Sequence, residues 1–197
     1  MPLEIAAVRI VDGREVPPVG RWNIDASHSQ VEFQVRHLMI AKVRGRFRVF
    51  SGTVDIAVLP ENSAVEVSVD AASIDTGDPQ RDAHLRSAEF LDVEHYPTLT
   101  YRSTGVRPGE GDSWMLDGEL TIRGVSHPVT LEVEFAGAVS DPWGKLRTAF
   151  NATGEMDRDD WGINWNQALE SGGWLVGKRV KVNLEVEAVL QSDEPIV

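Results

Sequence analysis

Five histidines, His28, His37, His84, His95 and His127, are the side chains best suited to metal ligation or proton transfer in this chain. A helical metal pair needs two of them four residues apart, and a strand-borne pair needs them two apart. Neither spacing occurs, nor does His-Glu-x-x-His, so no metal is expected. Asp25, Ser27 and His28 have the residue types of a nucleophilic triad. Close neighbours in sequence rarely reach triad geometry, and no Gly-x-Ser-x-Gly elbow is present, so no catalytic residues are assigned. Asp157, Asp159 and Asp160 lack the ligand spacing of a calcium loop and read as a solvated turn. Cysteine is absent, which excludes disulfides, thiol catalysis and cysteine-held metals.

Arg81, Asp82 and His84 fall together on a short expected helix, and Arg158 stands alone near the acidic turn. Two roles are open for them. The Arg-Asp pair can tie the helix to the body, or His28, Arg81, His84 and Arg158 can meet the polar head of a bound molecule.

The elements that would position these groups are strands. Val31, Phe33 and Val35 alternate with polar neighbours, as do Phe47 and Val49, then Val54, Ile56 and Val58, then Val65, Val67 and Val69. A change of phase near Phe50 to Gly52 predicts a bulge or bend. Asp78 before Pro79 predicts a helix start, with the helix running to about Arg86. Alternation resumes at Leu99 and Tyr101 and continues through Leu116, Leu120 and Ile122. It runs on through Val129, Leu131, Val133 and Phe135, then Leu146 to Ala152, and finally Val180 to Ala188. The pattern is all-β, with about eight antiparallel strands and one short helical insertion between the third and fourth. Short turns between neighbours favour antiparallel pairing, and closure into a barrel would remove the exposed edges. A two-sheet sandwich stays open from the pattern alone. Residues 1–20 read as an N-terminal arm hinged at Pro17-Pro18, residues 21–190 as the barrel domain, and 191–197 as a C-terminal tail.

The formal net charge of −12 repels phosphate backbones and anionic surfaces, so no nucleic acid and no membrane docking is expected. No apolar run approaches the about 18 residues of a membrane span, and no basic region precedes an apolar stretch at the start. The expectation is a cytoplasmic protein without stable membrane insertion.

Several phrases are more specific. Trp22-Asn23-Ile24-Asp25 leads to Ser27-His28-Ser29 and Val31-Glu32-Phe33, then Val43-Arg44-Gly45-Arg46-Phe47 and Phe50-Ser51-Gly52. Arg81-Asp82-Ala83-His84-Leu85, Tyr96-Pro97, Gly118-Glu119-Leu120-Thr121-Ile122-Arg123-Gly124 and Asp157-Arg158 before Trp161-Gly162-Ile163 follow in order. From Trp22 to Val189 the set closely resembles the YceI family. The resemblance implies a lipocalin-like, eight-stranded antiparallel barrel that binds a polyisoprenoid, such as an isoprenoid quinone or polyprenyl compound, in an apolar tunnel. It also implies that a homodimer is common and that many members are periplasmic. Trp161 stands where the family usually has Phe.

Strand parity and the resemblance together place Val31, Phe33, Val35, Phe47, Val49, Leu99, Tyr101, Leu120, Ile122, Leu131, Val133, Phe150 and Trp161 along that tunnel. The expected function is non-catalytic binding of such a lipid, with no cofactor. Two alternatives stay open. One is an enzyme acting on the lipid through His28, Arg81, Asp82 or His84. The other is a side-chain-filled barrel that serves as an interaction module. Haem held by His28 or His127 is a weaker variant of the binding role.

Overall fold

The structure, a computed structural model, describes residues 8–38, 40–170 and 172–191. Arg9–Val11 (β1) and Arg14–Val16 (β2) form a hairpin apart from the main sheet. Its turn residues Asp12 and Gly13 have φ of 49° and 80°, the left-handed pair a two-residue type I′ turn needs. Gly20–Ile24 (β3), Gln30–His37 (β4), Ala41–Phe47 (β5), Phe50–Ile56 (β6), Ala64–Asp70 (β7) and Ile74–Asp75 (β8) follow. The helix Pro79–Arg86 (α1) then precedes Thr98–Pro108 (β9), Trp114–Ile122 (β10), Val125–Ser140 (β11), Leu146–Asp157 (β12) and Val176–Leu190 (β13).

The strands close into an eight-stranded antiparallel barrel. β3 and β4 both pair with β13, so they act as one interrupted strand. β5 and β6 form its antiparallel neighbour, and β7 and β8 the next. β9 to β12 continue as a meander, and β13 closes the ring by pairing with β12 on one side and β3 and β4 on the other. Closure leaves the backbone groups of the wall paired around the ring.

The change of phase lies slightly earlier than the sequence suggests. β5 ends at Phe47 and β6 begins at Phe50. This two-residue break reverses the alternation, so Phe50 turns inward and is buried. Val49, expected in the tunnel wall, is therefore 56% exposed and does not border the interior.

The helix is built as its start signal predicts. The Asp78 carboxylate accepts from the amides of Gln80 and Arg81, and Pro79 occupies the first turn. Asp82 is buried and accepts from the Thr76 amide at 2.9 Å and the Thr76 hydroxyl at 2.5 Å. Arg86 donates to the carbonyls of Ala72 and Ile74, so α1 is held against the β7–β8 connection.

Most of the inward-facing residues form one apolar cluster that includes Phe50, Leu99, Leu116, Leu131 and Trp161. A second cluster of Trp22, Val54 and Ala188 sits where β3, β6 and β13 meet. Large side chains cross the wall at glycines. Phe33 lies over its cross-strand partner Gly45, and the Tyr101 ring lies over Gly118, where a Cβ would overlap it.

Candidate ligand cavity

The inward faces do not meet at the barrel axis. They enclose a cavity of about 1020 Å³, at the upper end of the roughly 300–1,000 Å³ range of ligand sites. Its wall is almost wholly apolar. Val31, Phe33, Val35, Phe47, Leu99, Tyr101, Leu120, Ile122, Leu131, Val133, Phe150 and Trp161 all border it. It reaches both Trp114 and Ile122, the first and last residues of β10, so it runs about 25 Å along that strand. The space suits a long molecule better than a compact one.

Tyr101 is the main polar group on the wall. Its hydroxyl lies 3.0 Å from the Leu116 carbonyl and 3.2 Å from that of Val129, and donates its one proton to one of them. Burial, with the charge of Asp117 in addition, raises its pKa well above the phenol range, so it stays neutral. The Trp161 indole is 2% exposed and donates to the Leu120 carbonyl at 3.0 Å. Around Tyr101 and Trp161 the wall therefore offers packing surface, with both polar groups already engaged.

Charge collects at one mouth, beside α1. Arg81 and His84 border the cavity there. Arg81 donates through Nε to the Thr76 hydroxyl at 2.7 Å and through Nη2 to the Thr76 carbonyl at 3.0 Å. The His84 ring stands edge-on to Phe90 and Trp165, with Nε2 2.5 Å from Glu89. Arg158 also borders the cavity but is 6% exposed. Its guanidinium donates to the carbonyls of Ile163, Trp165 and Gly177 at 2.6, 3.0 and 3.0 Å, and reaches that of Val176 at 3.5 Å. Burial lowers its pKa somewhat, opposed by the nearby charges of Asp159 and Asp157. Arg158 thus ties the backbone at Ile163, Trp165 and Gly177 to the end of β12, the structural one of the two roles open for it.

His28 lies elsewhere. It does not border the cavity and belongs to an outer cluster at the break between β3 and β4. Ser27 Oγ is 2.5 Å from Asp25 Oδ1, and His28 Nδ1 is 3.1 Å from that hydroxyl and 2.9 Å from Asp25 Oδ2. A triad needs the two histidine nitrogens to face acid and nucleophile separately, whereas here one nitrogen faces both. Asp25, His28 and Glu187 bring ligand-type atoms within 4.8 Å of one another, but the Arg147 guanidinium contacts both carboxylates and supplies their countercharge. The Ser27 hydroxyl, then Arg147 and His28, hold the Asp25 carboxyl well below the usual carboxylate range.

The other sequence candidates are also placed. His127 packs edge-on against Trp161, with centroids 5.3 Å apart, and does not border the cavity. Neither proposed haem ligand therefore reaches the interior. Asp82 is spent on the Thr76 anchor, and Asp159 pairs with Lys178 at 2.5 Å. Of the four groups considered for acid–base work, only Arg81 and His84 meet the cavity.

Fold and cavity together define an antiparallel binding barrel with an apolar interior and a polar mouth. The chain belongs to the YceI-like domain family, whose model matches residues 22–188. The protein YceI of Salmonella newport is 35% identical over 188 residues, covering 95% of both chains. The crystal structure of BcnA from Burkholderia cenocepacia superposes with a TM-score of 0.72 at 21% identity, over 83% of this chain and 98% of that one. A polyisoprenoid binding domain from Saccharophagus degradans superposes with a TM-score of 0.63 at 16% identity, over 88% of this chain and all of that one. Among the described residues, no helix is long and apolar enough to cross a membrane.

Proposed function

We propose that this protein binds one long polyisoprenoid, a quinone or polyprenyl compound, in the barrel interior and carries or sequesters it without chemical change. The observation that carries this reading is the elongated cavity walled by Val, Leu, Phe and Trp side chains. Each five-carbon unit buried there gains about 3 kcal/mol gross, before the costs of ordering the chain. Several units give tight binding with no strong polar anchor. The polar end of the lipid lies at the α1 mouth, beside Arg81 and His84. The polyisoprenoid binding domain of similar fold supports the ligand class. The wiring of Asp25, Ser27 and His28 supports a role without catalysis.

The test is native mass spectrometry of gently purified protein, followed by titration of the delipidated protein with a long-chain isoprenoid quinone and a polyprenol. An added apolar mass and saturable quenching of tryptophan fluorescence are expected. Val182→Trp, which fills the middle of the wall, is expected to abolish binding and leave the circular dichroism of the barrel unchanged. A wild-type protein that takes up neither lipid would refute the proposal.

A further inference from the structure

The β1–β2 hairpin lies outside the family-matched span, yet its residues help to wall the cavity. Val16 is 3% exposed and borders the interior, as do Arg9 and Pro17. They do so at the end opposite α1. Arg9 donates to the carbonyls of Ala57 and Val58, after β6, at 3.1 and 2.9 Å, and to that of Pro17 at 3.0 Å. Arg14 donates to Gly111 and Gly109, in the β9–β10 turn, at 3.1 and 3.3 Å, and its guanidinium lies 5.6 Å from the centre of the Trp114 ring. The hairpin thus bridges the mouth from the β6–β7 connection to the β9–β10 turn. Arg9 thus borders the apolar space while its guanidinium reaches backbone oxygen. These arginine clasps use neutral carbonyl acceptors.

We propose that this hairpin is a fixed floor to the tunnel, and that Val16 sets the longest isoprenoid chain the barrel accepts. This rests on the lipid-binding reading above. The lipid enters at the α1 mouth, its tail runs toward the hairpin, and the last unit meets Val16. One unit too many has nowhere to go without dislodging the clasp.

The experiment is a titration of delipidated full-length protein with all-trans prenols that differ by one isoprene unit. Three proteins are compared: wild type, Val16→Trp, and the double variant Arg9→Ala/Arg14→Ala. Wild type should bind progressively tighter with length and then show a sharp cut-off. Val16→Trp should shorten the cut-off by about one unit and weaken the longest accepted prenol by about a hundredfold, while shorter prenols bind as before. The double variant should accept longer prenols than wild type. An identical cut-off in all three proteins would overturn the proposal. If Val16→Trp fails to fold, an unmoved cut-off in the double variant overturns it alone. Wild-type protein that binds no prenol of any length would remove the lipid-binding reading itself, and this inference with it.

Discussion

Asp25 joins two stretches of chain, because its carboxylate meets its own turn at Ser27 and His28 and the guanidinium of Arg147 on β12. Its pKa is lower in the folded chain than in the unfolded one. The stability it contributes is therefore complete above the unfolded value, near about 4, and is lost as pH falls toward the folded value. The urea midpoint should hold steady from neutral pH to about 5 and drop below about 4. Asp25→Asn should cost about 2 kcal/mol at neutral pH and flatten part of that acid drop. An unchanged acid slope in the variant would show that Asp25 is not the titrating group. The Tyr101–Gly118 pair gives a second check. Gly118→Ala should cost about 2 kcal/mol by forcing the ring aside. Combining it with Tyr101→Leu should recover part of that loss, which a double-mutant cycle in urea would measure.

Arg158 holds the segment between β12 and β13 through backbone oxygens spread over Ile163 to Gly177. A lysine places its donors on one nitrogen and cannot span carbonyls that Arg158 reaches from three separate nitrogens. Arg158→Lys should cost about 3 kcal/mol and speed amide exchange across residues 163–177, with the β9–β11 amides unaffected. Exchange that rises uniformly would argue against a local clamp. This segment was the least legible part of the sequence, since it follows no period and its organising residue is a lone arginine. The strands were legible because alternation is enforced by a wall with an apolar inner face. The helix was legible because Asp78 and Pro79 act locally. Val49 was misplaced because a two-residue break changes parity without leaving a composition signal. The β1–β2 hairpin was missed although Asp12-Gly13 between two short alternating runs is its signature. Its contacts to carbonyls 48 to 97 residues away could not be read from any local pattern. The inward parity of most strands was legible, Val49 apart, but the hollow was not, because a volume depends on side chains from every strand at once.

An apolar void of this size forfeits packing contacts that a filled interior would make. Filling it with lipid should therefore stabilise the barrel by binding linkage, by about 2.7 kcal/mol at a hundredfold excess over Kd. The thermal midpoint of delipidated protein should rise steadily with added polyprenol, and a midpoint indifferent to it would contradict interior binding. The net charge of −12 exerts little pull on an uncharged molecule, so the proposed affinity for a prenol should hardly change with salt.

The ring is joined by β13, which follows the other described strands in chain order and locks onto both β12 and the early strands β3 and β4. Until it emerges, the nascent sheet keeps two raw borders and an oily inner surface open. Emergence of β13, rather than synthesis of the meander, should therefore be the step at which protease resistance appears. Chains stalled before Val176 should stay chaperone-bound.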